Sequence, residues 1–396
     1  MPGERLTMNC LRGKTQNPLL LLMPYDSFSG MELFGLRFAR DLQEHGNRVV
    51  VASPPGSAIE RQAREWGLPR CEIPRGNWAI ARHFTSFSQS ILDVAPSGII
   101  GFRTKAGYYA HLACLLHRIH IPLVLLYRLG AGNSFRRDPI HRVFFKNMAM
   151  VIPNAEHVRK KIVKYWGISP EKVVCIRSGI DLRKYFHSVE RRKKLRDTLS
   201  LTEKDLVVGC TGRIHPEKGS EILIHTLFGE QGLAKSVPGT HLLLVGKEYA
   251  PGYAMYLQSL AKRLGFSDNL HILPFEPHVE EVYSGFDVFA FPVISHETYA
   301  YVALEAMASE LPCVLPYVGG MKEMLIDGQS GLYFPHQDQE QFRSTLKKTL
   351  LMPKNERALL GAAARQRIVM FGNWETMMLE YVQQFKKLNI PLHYPQ

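Results

Sequence analysis

"DLVVGCTGRIHPEKG", residues 205–219, runs from a short apolar stretch into a glycine-bracketed loop that carries an arginine and a lysine. A continuous apolar run closed by glycine and followed by a helical pattern reads as a strand, buried on both faces, that feeds a helix. The same unit recurs along the chain. "THLLLVG" (240–246), "NLHILPF" (269–275), "DVFAFP" (287–292) and "LPCVLPY" (311–317) continue it downstream. Upstream lie "PLLLLMP" (18–24), "RVVVAS" (48–53), "SGIIGF" (97–102), "IPLVLLY" (121–127), "AMVIPN" (149–154) and "KVVCI" (172–176). Helical patterns such as "GMELFGLRFARDLQEHG" (30–46) separate most of these runs. The alternation argues for parallel sheets covered on both faces, so the expected fold class is α/β. The polar segment 184–205 reads as the joint between two doubly wound domains, and "ERRKKLR" (190–196) within it as a solvated face. Two such domains facing each other leave a cleft at the carboxyl ends of both sheets.

Length and composition bound the function. A chain of 396 residues accommodates two domains of ordinary size. Its six cysteines, at 10, 71, 114, 175, 210 and 313, form no CxxC pair, which fits a reducing compartment rather than a disulfide framework. The apolar run near the start is too short for a signal peptide, and "HLACLLHRIHIPLVLLY" (111–127) is broken by charge and proline, so a cytoplasmic protein is expected. The net charge of +13 is uneven. Residues 1–186 hold 27 Lys and Arg against 13 Asp and Glu, whereas the remainder holds 22 against 23. A basic first half suits an anionic membrane surface or an anionic acceptor. No zinc-finger spacing or RNP-type strand occurs, so nucleic acid is not an expected partner.

Candidate chemistry concentrates in the second half. Arg213 and Lys218 at a strand–helix junction suit a diphosphate, the first as a planar fork and the second as a point charge. No Asp-x-Asp occurs anywhere in the chain, so no metal is expected and protein cations with helix N-terminal amides must neutralise the phosphates. "SHETYAYVALEAMASELPC" (295–313) places Glu297 and Glu305 either side of seven residues. That step advances about 12 Å and turns about 80° on a helix. It puts Glu297 in the preceding loop and Glu305 two turns in, with a diphosphate between them at the helix N-terminus. Glu297 would then meet a sugar on one side and Glu305 a ribose on the other. His111, Cys114, His117 and His120 recur every three residues, but that step drifts about 60° per interval, so no metal site is expected of them. "LGAGNS" (129–134) lacks the third glycine of a dinucleotide fingerprint.

With these residues in view, "FPVISHETYAYVALEAMASELPCVLPYVGGMKEMLIDGQSGLYF" (291–334) resembles the E-x7-E region of the retaining GT-B glycosyltransferases of family 4. "GRIHPEKG", "VVCIRSGIDLRKYF" and "VMFGNWETMMLEYVQQF" extend the resemblance from about residue 18 to 386. It implies two Rossmann-like domains and a C-terminal helix crossing back to the first, with boundaries expected at 1–186, 187–372 and 373–396. It also implies that Glu297 contacts the transferred sugar, Glu305 the ribose, and Arg213 and Lys218 the diphosphate. Thr298, Tyr299, Ala300, Gly246 and Phe275 fall on the donor side, and Gly319 and Gly320 match a glycine pair that turns the chain beside the site. On the acceptor side stand Gly30 and Glu32 of "SGME", with Arg103 or Thr104 where the family places one histidine and Arg128 beside the place of another. Ala300 and Glu310 stand where glycines are usual, and Leu129 where a histidine is usual.

The implied function is transfer of a sugar from a nucleoside diphosphate to an acceptor hydroxyl with retention and without a cofactor. The expected acceptor is a glycolipid or lipopolysaccharide-type glycan at the inner face of a membrane. A nucleotide-sugar epimerase and a catalytically weakened sugar-nucleotide-binding module are the alternatives.

Overall fold

The computed structural model describes residues 17–395, apart from 27–29, 103, 129–138, 275, 277 and 296. Two six-stranded sheets, parallel throughout, make up the α/β frame. The first orders its strands β3-β2-β1-β4-β5-β6, with β1 Leu19–Leu22, β2 Val49–Ser53, β3 Arg70–Glu72, β4 Gly98–Gly101, β5 Leu123–Tyr127 and β6 Met150–Pro153. The second comprises β7 Leu206–Thr211, β8 Thr240–Val245, β9 Leu270–Leu273, β10 Val288–Ala290, β11 Cys313–Pro316 and β12 Leu332–Phe334. Its order, β12-β11-β10-β7-β8-β9, repeats that of the first sheet. Each sheet therefore reverses direction beside its first strand, between β1 and β4 and between β7 and β10, which opens a crevice there. All four leucines of β1 are fully buried, as a central parallel strand covered on both faces requires.

Two expectations need correction, and two strands were not expected. Residues 172–176 are not a strand. Val174 and Ile176 donate their amides to the carbonyls of Val151 and Pro153, but the next rung would need an N–H that Pro153 lacks. Strands β3 and β12, each three residues at a sheet edge, were too short to stand out as apolar runs. The stretch 190–196 is not a linker but part of the helix Val189–Thr198, which packs against the short helix Glu280–Tyr283 and keeps Glu190, Lys193 and Lys194 exposed. Arg196 is 2% exposed, and with Arg192 it pairs with Asp287 at 3.2 and 2.9 Å. That carboxylate, at the entrance to β10, also accepts the Val207 amide.

The chain crosses between the halves twice, and the crossings are bonded to each other. Ile180 donates to the Gly372 carbonyl at 2.7 Å, and Trp374 donates back to the Ile180 carbonyl at 3.0 Å. The helix Trp374–Lys387 then buries Met377, Met378, Tyr381, Val382 and Phe385 against the first sheet's core, with Phe38 and Tyr381 edge to face at 5.2 Å. A third tie lies nearer the crevice. Glu323, from the second half, accepts the amides of Glu156 at 3.1 Å and His157 at 3.0 Å, at the start of the first-half helix Glu156–Lys161. Arg177 stands 3.4 Å away.

Burial alone would raise the Glu323 pKa, but the His157 ring, the two amides and Arg177 outweigh it and hold the carboxyl at about 2. A depressed folded pKa contributes stability that is complete above the ordinary value of 4.5 and disappears as pH falls towards 2. Glu323→Gln should therefore lower the melting temperature at neutral pH. Its difference from the wild type should close as the pH is taken down through that window. Melting curves that stay parallel across it would show that the carboxylate carries no charge-dependent stability.

Candidate active site

The site grows from the ends of β7 and β10, the strands that flank the second crevice. After β7 the chain passes Gly212 and the exposed Arg213, whose guanidinium lies 5.4 Å from the Tyr249 ring. It then makes a tight turn, Pro216–Lys218, that ends at Gly219 in the left-handed region with φ +80°. A side chain at Gly219 would overlap the Pro292 carbonyl just beyond β10, so the two loops approach backbone to backbone. Ile294 fixes the register by donating to the Glu217 carbonyl at 2.9 Å.

This approach brings Lys218 and Glu297 into an ion pair. Both side chains are largely enclosed, 12% and 21% exposed. A third loop, Gly319–Glu323, seals the arrangement from behind. Gly320 donates to the Thr298 carbonyl at 2.9 Å, and a Cβ at Gly319, where φ is +56°, would overlap the Glu297 carbonyl. Gly246, at the end of β8, lies against the Gly212 carbonyl with no space for a side chain.

The helix carrying Glu305 is Tyr301–Ala308, later and shorter than the sequence suggests. Glu297 precedes it by four residues and Glu305 stands in its second turn, not two turns in. No side chain caps its N-terminus, and Ala300 is the cap residue. The Glu305 carboxylate accepts the Tyr185 hydroxyl at 3.2 Å on one oxygen and the Tyr283 hydroxyl at 2.6 Å on the other. Tyr283 is in turn 2.6 Å from the Thr211 hydroxyl at the end of β7. Burial raises the Glu305 pKa from its ordinary value, opposed by the Tyr283 hydroxyl, the field of Arg37 and the Tyr185 hydroxyl.

Not every expected residue faces the crevice. Thr298 is half-buried, and Tyr299 and Ala300 are buried, so this segment offers backbone rather than side chains. Gly30 opens the helix Gly30–Glu44 with no described atom within 4 Å of where a Cβ would stand, whereas Glu32 in the first turn is 1% exposed. Arg128 is also buried. It donates to Ser178 Oγ and to the Tyr301 hydroxyl, both at 2.5 Å, and its guanidinium lies 3.6 Å over the Phe34 ring. It therefore joins the end of β5 to the first residue of the Glu305 helix instead of offering an open charge. Arg103, Phe275, Leu129 and the 129–134 glycines lie outside the described residues. Among the described residues no three His, Cys, Asp or Glu side chains converge as metal ligands.

The tyrosines holding Glu305, and Glu323 itself, were missed in the sequence reading. The signal for Glu323 was its place three residues after the glycine pair. A cavity of about 320 Å³ borders the Pro292–Ile294 loop, lined by Ile222, Val293, Phe334 and Phe342 among others. None of the site's charged groups reaches it. The smaller recess between Gly212, Arg213, Lys218 and Ser220 holds the polar groups and is the better candidate.

In comparison with known proteins the two halves match separate family models. Residues 28–184 match the model described as Glycosyltransferase Family 4, and residues 191–367 the model described as Glycosyl transferases group 1. A D-inositol 3-phosphate glycosyltransferase of Geodermatophilus obscurus is 29% identical over 385 residues, spanning 87% of this chain and 82% of the relative. Another of that name, from Segniliparus rotundus, is 28% identical over 212 residues, 53% of this chain and only 46% of the relative's own length. The structure of Anabaena HepE in complex with UDP superposes with a TM-score of 0.80 at 20% identity, covering 93% of this chain and 100% of that one. At that identity the likeness speaks for the GT-B fold.

Gly319→Ala should cost about 1–3 kcal/mol of stability, because the left-handed backbone and the Glu297 carbonyl both oppose a methyl group. Gly328, at φ +73° with open space where a Cβ would stand, is the control: Gly328→Ala meets the backbone term alone. Equal denaturation midpoints for the two variants would show that Gly319 does not support the Glu297 loop.

Proposed function

The chain belongs to the GT-B glycosyltransferases of family 4 type, whose two models share it between them, and we propose that it moves a sugar from a nucleoside diphosphate to an acceptor hydroxyl with retention and without a metal ion. The observation that carries this reading is the Lys218–Glu297 pair at the mouth of the β7/β10 crevice, beside a helix N-terminus that no side chain caps. An uncapped helix start presents amides and a positive dipole end to an anion. A diphosphate there takes Lys218 away from Glu297, and Arg213 adds a second cation from the loop edge. Glu297, released, meets the hydroxyls of the sugar.

Glu305 holds the ribose. An ionised carboxylate has about four acceptor positions, so two phenol donors leave room for the ribose hydroxyls. Transfer follows front-side displacement. The bond from the anomeric carbon to the diphosphate oxygen breaks, the acceptor oxygen bonds on the same face, and its proton passes to the departing phosphate. Lys218, Arg213 and the helix amides stabilise the charge developing on that phosphate, ordinarily a large share of catalysis. HepE has been solved with UDP-glucose, and the named relatives act on an inositol phosphate. The first supports a uridine nucleotide as the first donor to try, and the second a phosphorylated acceptor. The basic first half supports an acceptor carried at the inner face of a membrane as a glycolipid or lipopolysaccharide-type glycan.

The two partners of the ion pair should respond in opposite directions. Lys218→Ala should weaken nucleoside diphosphate binding and cost about 2–4 kcal/mol of transition-state stabilisation. Glu297→Gln should leave nucleoside diphosphate binding tighter, since Lys218 loses its competing carboxylate, while kcat falls about 10²-fold. Calorimetry and a rate assay on both variants test this. Loss of nucleotide binding in Glu297→Gln would place that residue on the nucleotide and overturn the assignment.

Transfer should also persist in excess EDTA. Activity abolished by chelator and restored by Mg²⁺ or Mn²⁺ would contradict the account of phosphate neutralisation by protein cations alone.

A further inference from the structure

The helix Thr104–Leu116 is apolar on two faces. Ala106, Ala110 and Ala113 are buried against the first half's core, while Leu112, Leu115 and Leu116 on the outer side are 51–61% exposed. A helix apolar all round is normally enclosed, and adjacent exposed leucines mark a surface that meets something. The helix Pro139–Asn147 lies alongside, with Phe144 against Tyr108 at 4.0 Å between ring centroids, and it adds Val143 at 55% exposure.

Charge indicates what the surface meets. No Asp or Glu occurs between Asp93 and Asp138. Across residues 73–166 there are 14 Lys and Arg against three acids. Exposed Arg118 follows the last leucine, and exposed Lys146 stands one turn beyond Val143. Exposed leucines flanked by exposed Arg118 and Lys146, in a stretch of chain with that excess of cations, match an anionic bilayer. The side chains enter the boundary of headgroup and acyl chain, and the cations face lipid phosphates. Among the described residues no helix is long and apolar enough to cross a membrane, so contact through these helices would be peripheral.

We propose that the outer face of the helices Thr104–Leu116 and Pro139–Asn147 docks the protein on a bilayer rich in anionic lipid. The proposal rests on the membrane-borne acceptor put forward above and gives that reading a physical surface. Flotation of the full chain tests it, with vesicles of phosphatidylcholine alone and of phosphatidylcholine containing about one quarter phosphatidylglycerol. The wild type should float with the anionic vesicles only and be released as salt rises from about 0.05 to 0.5 M. The triple variant Leu112→Ser, Leu115→Ser, Leu116→Ser and the double variant Arg118→Glu, Lys146→Glu should each bind at least about tenfold less. Both should titrate with nucleoside diphosphate as the wild type does, which shows that the fold and the donor site are intact.

A wild type that ignores anionic vesicles at low salt overturns the proposal, as does a triple variant that floats normally. A wild-type dimer dissolved by the leucine substitutions would also overturn it, because a second copy would then cover the face. Intact nucleotide binding beside absent flotation would sink only the docking surface. A wild type that binds no nucleoside diphosphate would instead remove the transferase reading.

Discussion

Three loops meet at the mouth of the second sheet with no space for side chains between their backbones. Gly219 lies on the Pro292 carbonyl, and Gly319 and Gly320 lie on the carbonyls of Glu297 and Thr298. Close approach is possible only because these positions lack a Cβ, and two of them also hold left-handed backbone. The consequence is chemical. A lysine after β7 and a glutamate after β10 become partners although 79 residues separate them. Pairing keeps two enclosed charges satisfied until a ligand replaces one partner, since an isolated enclosed charge would be strongly disfavoured.

The same loops connect the site to the relation between the halves. Glu323 ends the turn that supports Glu297, and its carboxylate caps a helix of the first half. Tyr301 opens the Glu305 helix and accepts from Arg128 of β5's end. Tyr185, in the first crossing segment, donates to Glu305. Glu297 and Glu305 are thus each one or two contacts from a bond that ties the two halves together. A shift of the two halves would be felt at both glutamates, and donor bound at the glutamates would bear on the shift.

The frame was legible in the sequence because parallel strands buried on both faces appear as continuous apolar runs, as "PLLLLMP" and "THLLLVG" do. Edge strands β3 and β12 escaped because three residues make no run, and 172–176 misled because an apolar stretch does not reveal a missing N–H on its neighbour. At the site, Arg213, Lys218, Glu297 and Glu305 stood out as charges in glycine-rich or apolar surroundings. The tyrosines around Glu305 did not, since Tyr185 and Tyr283 resemble ordinary core aromatics until their hydroxyls are placed. Arg128 misled in the opposite sense. A cation at a strand's end suggests an open charge, but here aromatic rings and two hydroxyls enclose it. Sequence marks the kind of residue a site needs, and long-range contact decides whether that residue faces the ligand.

The central claim is that Lys218 exchanges Glu297 for a diphosphate. A crystal structure of the protein with a bound nucleoside diphosphate tests it most directly. The account predicts the Lys218 ammonium on a phosphate oxygen, the phosphates at the start of the Tyr301–Ala308 helix, the ribose hydroxyls on Glu305, and Glu297 turned free towards the sugar position. A nucleotide bound elsewhere, or bound with the Lys218–Glu297 pair intact, would contradict it.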